Sequence, residues 1–584
     1  MSTVSERKSL IKSALGQEPL DLILKNVQVV NVYTGTIEPG SLGIRAGRIV
    51  TADASGLEGR ETIDGGGLFA LPGFIDSHIH IDSTLLTPAH LAELIVPAGT
   101  TVLLADPMEI SNVAGLKGLE TLVQMADGVP YHLFLEVSSR VPTAPGLETT
   151  GGELGLREVQ EILKWPSAVS LGELDPSKVL GLGDEYLAKV ETAIDLGKIA
   201  NGHAAGLHGS ELAAYACGGL SDDHECVDFS EALERLRLGM AVLVREGSSE
   251  RNLEPILKGV LEAKMDTRHL MFCTDDKHPD DILTEGHINY MVRRAIELGC
   301  APMQAIQMAT LNAAIHFRLD HQVGSLAPGR WADVLLVEDL DRMQPSQVFV
   351  QGKLAAQAGS LTQALPGSVY PDWVLDTVKV TRGRHAEDFK LPWNKQQARV
   401  RVIDISPDQI INQASEAVLQ IVDGAIVGDE DRDVLKLAVV ERYGKNGNIG
   451  IGFVHGFGLH RGALASSVSH DHHNIVVVGV QDEDMAACVR ALEETHGGLA
   501  VAAGGEVLDV LALPIGGLMS KLGAYEVIAA LKKITAIAHD LGCKLPAPFM
   551  SLSFISLPTV PELGLTDLGL VDVQQHCLID TVIE

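Results

Sequence analysis

The length, composition and charge of the chain limit the classes of protein to which it can belong. Its 584 residues are too many for one ordinary domain, and contents of 46% hydrophobic and 21% charged residues are typical of globular proteins. The 45 basic and 77 acidic residues give a formal charge of −32, which would repel a phosphate backbone. We therefore expect a small neutral or cationic substrate and no nucleic-acid partner.

The N-terminal residues MSTVSERKSLIKSALGQEP lack the apolar segment of a signal peptide, and no apolar stretch reaches the roughly 18 residues that span a bilayer. The 7 cysteines include no C-x-x-C pair, which argues against a disulfide framework or a zinc knuckle. We expect a cytoplasmic protein with reduced thiols and no membrane partner. The large apolar fraction favours a homo-oligomer such as a dimer.

Short apolar and β-branched runs broken by Gly and Pro occupy residues 20–70 and predict a small antiparallel sheet. From about residue 68 the pattern changes to apolar runs that end in polar residues and precede stretches of helical periodicity. Eight such runs follow one another: LFALPGFIDSHIH, TTVLLADPMEI, YHLFLEVSS, SAVSLGELD, GKIANGHA, GGLSDDHE, MAVLVREGS and HLMFCTDD. Eight βα units over about 250 residues predict a (β/α)8 barrel of the TIM type.

The segment GSLAPGRWADVLLVEDLDRMQPSQVFVQGKLAAQAG is again strand-like and could complete the N-terminal sheet from the far side of the barrel. We therefore predict an α/β chain with four regions. These are the first part of a small composite β-sandwich (1–67), the barrel (68–320), the return strands of the sandwich (321–365) and an additional C-terminal α+β domain over the barrel mouth (366–584).

Two histidines end the first barrel run. His78 and His80 lie two residues apart, so on a strand both imidazoles face the same side and can share one metal ion. Two partly exposed loop histidines are the plainer interpretation of an H-x-H motif taken alone.

Four other runs also end in a possible metal ligand. Glu173 stands at the end of the fourth run, His203 of the fifth, His224 of the sixth and Asp275 of the eighth. Because parallel strands deliver their last residues to one face of a barrel, these side chains should converge. Four histidines and two carboxylates suit one or two divalent ions such as Zn, Mn or Fe, and Glu173 could bridge two of them.

With these motifs the chain resembles the amidohydrolase superfamily and, within it, the bacterial adenine deaminases. The resemblance implies that His78, His80 and Asp275 hold one metal ion and that His203 and His224 hold a second. A carboxylated lysine joins the two ions in many relatives, whereas SLGELD places Glu173 at that position. This departure matches adenine deaminases and weakens the case for a dihydroorotase or a hydantoinase. Mn or Fe is the expected metal, with Zn as an alternative.

The second run, LLADPMEISNV, resembles the adenine deaminase motif through which Asp106 and Glu109 enter the active site. Met108 stands where that motif is expected to have a histidine, which puts the role of that histidine in doubt here. The two carboxylates could instead be structural, with Asp106 capping the following turn and Glu109 solvated.

Two further segments supply candidates for substrate binding. GLHRGALASSVSHDHHNIVVVG resembles the C-terminal domain signature of the family and contains Ser469, His470, Asp471 and His473. These side chains could reach the purine or could form a structural turn. Arg245, which closes the seventh run, is another candidate, although an internal ion pair explains it as well.

The reaction implied by the resemblance is hydrolysis of adenine to hypoxanthine and ammonia by a hydroxide held between two divalent ions. Asp275 would accept the proton of the hydroxide and pass it to the departing amine. Glu109 would stand protonated beside a ring nitrogen, and Asp106 would raise its pKa by like-charge repulsion.

Two alternative functions are compatible with the same residues. One is an amidohydrolase that acts on another purine or on a cyclic amide, because the candidate ligands do not distinguish these substrates. The other is a non-catalytic barrel that serves as a scaffold. The full ligand set argues against the scaffold, since such proteins usually lose ligands.

Overall fold

The structure is a computed structural model that describes residues 3–367, 369–405, 411–560 and 562–584. It begins with helix α1 (Val4–Ala14) and five strands: β1 (Leu20–Asn31), β2 (Thr36–Arg45), β3 (Arg48–Thr51), β4 (Gly59–Asp64) and β5 (Phe69–Pro72). β1 and β2 pair in the predicted antiparallel manner, whereas β4 and β5 run parallel to β1. The length of β1 allows this, because β4 pairs with its first half and β5 with Gln28 and Val29 further along.

The eight predicted barrel runs form eight strands: β6 (Phe74–Ile79), β7 (Thr100–Ala105), β8 (His132–Val137), β9 (Ala168–Leu174), β10 (Ile199–Gly202), β11 (Asp222–Asp223), β12 (Ala241–Arg245) and β13 (Leu270–Cys273). β6 to β10 pair in sequence order, as do β11 to β13. The amide of Ser221 donates to the carbonyl of Ala200 (2.9 Å), and that of Asp275 to the carbonyl of His78 (3.0 Å). These bonds close the predicted barrel.

Helices follow the barrel strands: α2 (Pro88–Ile95), α3 (Met108–Met125), α4 (Leu156–Ile162), α5 (Pro176–Leu180), α6 (Asp184–Asp195), α7 (Gly209–Cys217), α8 (Phe229–Arg237), α9 (Leu253–Glu262), α10 (Pro279–Glu285), α11 (Ile288–Glu297), α12 (Pro302–Met308) and α13 (Leu311–His316). A short 3-10 helix spans Ile81–Thr84. The spacing of Ile288, Met291, Val292 and Ala295 places one apolar face of α11 against the barrel, where all four residues are buried.

The return segment forms β14 (Val334–Val337), β15 (Pro345–Val350), β16 (Lys353–Gln357) and β17 (Ser360–Leu361). β14 pairs with β5 in antiparallel register, with Leu336 opposite Ala70, so the two flanks of the barrel share one nine-stranded sheet. One apolar core lies under this sheet and includes Leu24 and Ile44 from the first flank with Val334 from the second. The composite β-structure predicted from the sequence is therefore present.

The C-terminal region contains strands β18 (Gln397–Asp404), β19 (Gln413–Val422), β20 (Ala425–Ile426), β21 (Val434–Val440), β22 (Ile449–His455), β23 (Ala463–Ser466), β24 (Ile475–Gly479), β25 (Gly498–Ala503), β26 (Glu506–Ala512), β27 (Leu563–Thr566), β28 (Gly569–Asp572) and β29 (Cys577–Ile579). Its helices are α14 (Asp482–Glu494), α15 (Ala524–Asp540) and α16 (Pro548–Phe554), with 3-10 helices at Asp372–Leu375, Ala386–Phe389 and Glu430–Arg432. β18 to β26 form a nine-stranded sheet in the order β20-β19-β18-β22-β21-β24-β23-β25-β26, and β27 to β29 form a smaller sheet.

The C-terminal region is hydrogen-bonded to the loop that follows β8. The amide of Thr149 donates to Asp567 (2.9 Å), and the Asn474 side chain donates to the carbonyl of Thr149 (2.8 Å). Thr566 Oγ1 donates to the carbonyl of Leu147 (2.6 Å). These bonds bring the C-terminal region to the mouth of the barrel. Within the described residues, no helix has both the length and the apolar character needed to cross a membrane.

A fully buried arginine on α8 stabilises the part of the barrel that carries two predicted ligands. Arg235 Nε donates to Asp223 (2.8 Å), and its Nη atoms donate to the carbonyls of Leu207 (2.9 Å) and Ala204 (2.7 Å). Arg235→Met should lower the free energy of unfolding by about 3–5 kcal/mol, because it leaves a buried carboxylate without its cation. Arg237→Met, at an exposed position of the same helix, is the control. If the urea unfolding curves of Arg235→Met and Arg237→Met coincide, this expectation is wrong.

Candidate metal centre

The predicted ligands lie at the carboxyl ends of the barrel strands. His78 is the second-last residue of β6, and His80 directly follows that strand. Glu173 is in β9, and His203 and His224 come directly after β10 and β11. Asp275 lies two residues beyond β13 and adopts a left-handed backbone with φ of 56°. The common direction of the strands places all six side chains at one mouth of the barrel.

The first group of side chains surrounds His78 and His80. His78 Nε2 lies 3.7 Å from Glu173 Oε2 and 3.8 Å from Asp275 Oδ1, and His80 Nε2 lies 3.5 Å from the same Asp275 oxygen. His80 Nδ1 faces the carbonyl of Asp106 at 3.2 Å, and a carbonyl only accepts. That nitrogen therefore carries a hydrogen, and Nε2 of His80 faces the shared centre.

The second group shares Glu173 with the first. Glu173 Oε2 lies 3.1 Å from His203 Nδ1 and 3.0 Å from His224 Nε2. Burial alone would raise the pKa of Glu173, but the Arg140 guanidinium and the His203 imidazole outweigh it and hold that pKa well below its usual range. The carboxylate is therefore ionised, and a single oxygen faces histidines of both groups.

The donor atoms fit divalent cations. The atoms of His78, His80 and Glu173 lie within 4.8 Å of one another, as do those of Glu173, His203 and His224. His78 Nε2 is buried and has no hydrogen-bond partner. Burial and the neighbouring histidines lower the pKa of His78 to about 4, so its imidazole is neutral at neutral pH, as a ligand must be. Mixed imidazole and carboxylate donors suit Mn, Fe and Zn.

Two residues that the sequence analysis missed hold these candidate ligands in place. Glu136 Oε2, from β8, lies 2.5 Å from His78 Nδ1, which orients the ring with Nε2 toward the centre. Arg140 donates to the other oxygen of Glu173 and, at 3.3 Å, to Asp471. Glu136 lies inside the third run, YHLFLEVSS, and Arg140 directly follows that run. A charged residue at the end of a run is the same signal that identified the predicted ligands, and it could have identified Arg140.

Arg245 was predicted to bind substrate, and the structure places it on the cavity wall with its guanidinium already engaged. Its Nη1 donates to Glu225 Oε1 (2.6 Å) and to Asp275 Oδ2 (2.9 Å). Glu225, next to His224, was not predicted, yet it groups with His224 and Asp275 as a further set of possible ligands. The internal ion pair is thus present, and it fixes one oxygen of Asp275.

Asp106 and Glu109 are both buried, and their environments differ from the expectation. Ser138 Oγ donates to Asp106 (2.5 Å), and burial raises the pKa of Asp106 to about 7. Glu109 lies 3.1 Å from His80 Nδ1 and 3.6 Å from His470 Nδ1. Burial would raise the pKa of Glu109, but these imidazoles outweigh it and lower that pKa. The predicted rise in the pKa of Glu109 is therefore wrong, because two histidines face this carboxylate. Asp106, which faces a serine, is the carboxylate with the raised pKa.

The C-terminal cluster divides into two pairs. His470 and Asp471 line the cavity; the His470 ring stacks on Phe554 at 5.0 Å, and Asp471 accepts from Thr143 Oγ1 (2.8 Å). Ser469 and His473 do not line it. Ser469 Oγ lies 2.6 Å from Ser556 Oγ, and the amide of Ser469 donates to His473 Nδ1 (3.1 Å). His473 also groups with Glu109 and His470, and its Nε2 is buried and has no hydrogen-bond partner. Substrate binding by Ser469 and His473 therefore stays a prediction.

Because Glu173 belongs to both ligand groups, its replacement should disturb both. We expect Glu173→Gln to bind substantially less divalent metal than the unaltered chain, measured by elemental analysis after loading and gel filtration. His203→Asn should disturb only the second group, so it should lose less bound metal than Glu173→Gln. Glu153→Gln, at an exposed position, is the matched control. Unchanged metal content in Glu173→Gln would rule out a shared bridging carboxylate.

Comparison with known proteins agrees with this architecture. Residues 69–355 match the amidohydrolase family, and residues 409–577 match the adenine deaminase C-terminal domain. The chain is 55% identical over 98% of both chains to adenine deaminase of Desulforamulus reducens. It is 42% identical to adenine deaminase 2 of Carboxydothermus hydrogenoformans, over 98% of this chain and 99% of that protein. A similar match, 42% over 97% of each chain, is found with adenine deaminase of Desulfatibacillum aliphaticivorans. The chain therefore belongs to the adenine deaminase family of the amidohydrolase superfamily.

Proposed function

We propose that this chain hydrolyses adenine to hypoxanthine and ammonia and that two divalent cations, Mn or Fe in preference to Zn, are its cofactors. The observation that carries the proposal is the Glu173 carboxylate shared between two histidine groups, in a chain that matches adenine deaminases over almost its whole length. We further propose His78, His80, Glu173, His203, His224 and Asp275 as the metal ligands.

Two bound divalent cations would supply the positive charge that lowers the pKa of water and polarises the reacting carbon. In the net reaction, water forms a C–O bond at C6 of adenine, the C–N bond to the amino group breaks, and ammonia leaves. The amino group must gain a proton before it departs. The protein therefore has to hold a proton-carrying group beside C6.

Asp275 is the side chain best placed to move that proton. Arg245 fixes its Oδ2 at 2.9 Å, while Oδ1 faces His78 and His80 at the centre of the site. We propose that Asp275 takes the proton released by the attacking water and delivers it to the amino nitrogen. The ion pair with Arg245 keeps the carboxylate from turning away between these two steps.

Glu109 lies on the opposite side of His80 and connects it to His470 on the cavity wall. We propose that the Glu109–His470 pair holds a proton near a ring nitrogen of the purine as negative charge develops in the ring. Asp106, which accepts from Ser138, contributes its backbone carbonyl to the orientation of His80.

Some predictions made from the sequence are retained here as proposals. We propose regions at 1–67, 68–320, 321–365 and 366–584, a cytoplasmic location, and a homodimer that has neither a nucleic acid nor a membrane as partner. The absence of a nucleic-acid partner is supported by the formal charge of −32.

The direct test is incubation of metal-loaded protein with adenine, with ultraviolet absorbance and ammonia release followed together. We expect both signals to change in equal molar amounts. Guanine and hydantoin should be assayed in parallel. Ammonia from guanine, or ring opening of hydantoin, without turnover of adenine would support the broader amidohydrolase alternative. A chain that binds no transition metal and releases no ammonia would support the scaffold.

A substitution at Glu109 tests its proposed role separately from metal binding. Glu109→Gln should lower kcat by about 10²- to 10⁴-fold, the usual contribution of a proton-transfer group, with unchanged metal content. Glu120→Gln, at an exposed position of the same helix α3, is the control. An unaltered kcat in Glu109→Gln would remove Glu109 from the mechanism.

A further inference from the structure

The cavity at the barrel mouth is bordered by charged groups beyond the proposed ligands. Its two arginines are already paired inside the protein, Arg140 with Asp471 (3.3 Å) and Arg245 with Glu225 (2.6 Å). A bound substrate would therefore have to meet other polar atoms on the wall.

Two carboxylates on that wall offer such atoms. Among the described residues that line the cavity, the buried side-chain atoms without a hydrogen-bond partner are Glu109 Oε1, Arg140 Nε, Glu250 Oε1, Asp276 Oδ1 and Thr559 Oγ1. Glu109 Oε1 already lies near the imidazoles of His80 and His470. Glu250 is 6% exposed and Asp276 is 8% exposed. Leaving a buried carboxylate oxygen without a donor costs free energy, and a donor on a bound ligand would offset this cost.

The loop after β12 fixes the position of Glu250. The amide of Gly247 donates to the Glu250 carbonyl (2.9 Å), and the amide of Ser248 donates to the carbonyl of Asp276 (2.9 Å). Ser249 Oγ donates to Glu250 Oε2 (2.7 Å). One oxygen of Glu250 is thus held by its own loop, while the other has no hydrogen-bond partner among the described residues.

The C-terminal region also lines the cavity, with the polar His470 and Asp471 and with Phe554, Leu557, Thr559 and Val560, which are mostly apolar. Ser249 Oγ also lies 3.3 Å from Met550 Sδ in α16, which joins the Glu250 loop to this region. A cavity lined by both apolar side chains and carboxylate acceptors suits a flat heterocycle with N–H groups on its edge.

We propose that Glu250 determines specificity for a free purine base by accepting the N–H of its five-membered ring. This inference rests on the proposed function. Neutral adenine carries one ring N–H, on the five-membered ring, in addition to the amino group that is displaced. Burial raises the pKa of Glu250 to about 7, and an N–H donor on a bound ligand would favour the ionised form. In that form the carboxylate accepts and does not donate, so it favours a base with N9–H and disfavours one with a lone pair or a sugar at that position.

The test removes the acceptor from the protein and the donor from the substrate. The substrate probe is the oxazole analogue of adenine, in which a ring oxygen replaces N9–H. We expect the unaltered enzyme to prefer adenine in kcat/KM, or in Ki if the analogue turns over poorly, by about 10- to 100-fold, as for loss of a hydrogen bond to a charged group. The kcat/KM of Glu250→Leu for adenine should fall by a similar factor, mainly because KM rises. This variant should show little preference for adenine over the analogue.

Controls separate this role from a structural one. Glu262→Leu, at an exposed position of α9, should keep the preference, and Glu250→Gln should show an intermediate preference because its amide oxygen still accepts. Metal content and the midpoint of unfolding identify a misfolded variant. If Glu250→Leu misfolds, the Glu250→Gln result decides.

A preference that is unchanged in the folded Glu250 variants would overturn the inference while leaving the proposed function intact. An unaltered enzyme that releases no ammonia from adenine would instead overturn the proposed function, and this inference with it.

Discussion

A single buried carboxylate, that of Glu173, connects the elements of the site. One of its oxygens contacts His203 and His224, and the other accepts from Arg140. Glu173 is 3% exposed, so these partners must offset the cost of taking its charge out of water. The oxygen shared by the two imidazoles also faces His78. The carboxyl ends of β6, β9, β10 and β11 therefore have to lie at the same height along the barrel axis. A slip of one residue in any of these strands would turn its ligand away.

The two large regions of the chain make different contributions to the same cavity. The barrel supplies the candidate ligands on its strand ends, where the backbone is held by the parallel ladders. The C-terminal region supplies His470, Asp471 and the ring of Phe554. Since Asp471 contacts Arg140, which itself holds Glu173, the C-terminal region also supports the ligand geometry. The complete site therefore requires both regions to be folded and in contact.

Much of this arrangement follows from local sequence patterns. Apolar runs that end in polar residues identified all eight barrel strands and the candidate ligands at the strand ends, because in a barrel the periodicity of the chain determines which residues reach the mouth. Glu136 escaped notice because it lies inside an apolar run, and Glu250 because it lies in a loop with no periodic pattern. The environment of Glu109 depends on His470, a distant residue in the sequence, so its pKa direction could not be predicted from its neighbours. The strand order of the C-terminal sheet depends on equally non-local pairing.

The sheet shared by the two flanks of the barrel has a consequence for how the polypeptide becomes native. Ala70 pairs with Leu336, and the whole barrel lies between these partners in the sequence. During synthesis β5 cannot pair with β14 until the ribosome has produced the entire intervening barrel, so one edge of β5 stays unpaired until then. Bringing such distant segments together carries a loop-closure entropy that only the finished barrel, which holds its own ends close, can reduce. Completion of the barrel is thus the step that makes the flanking sheet attainable.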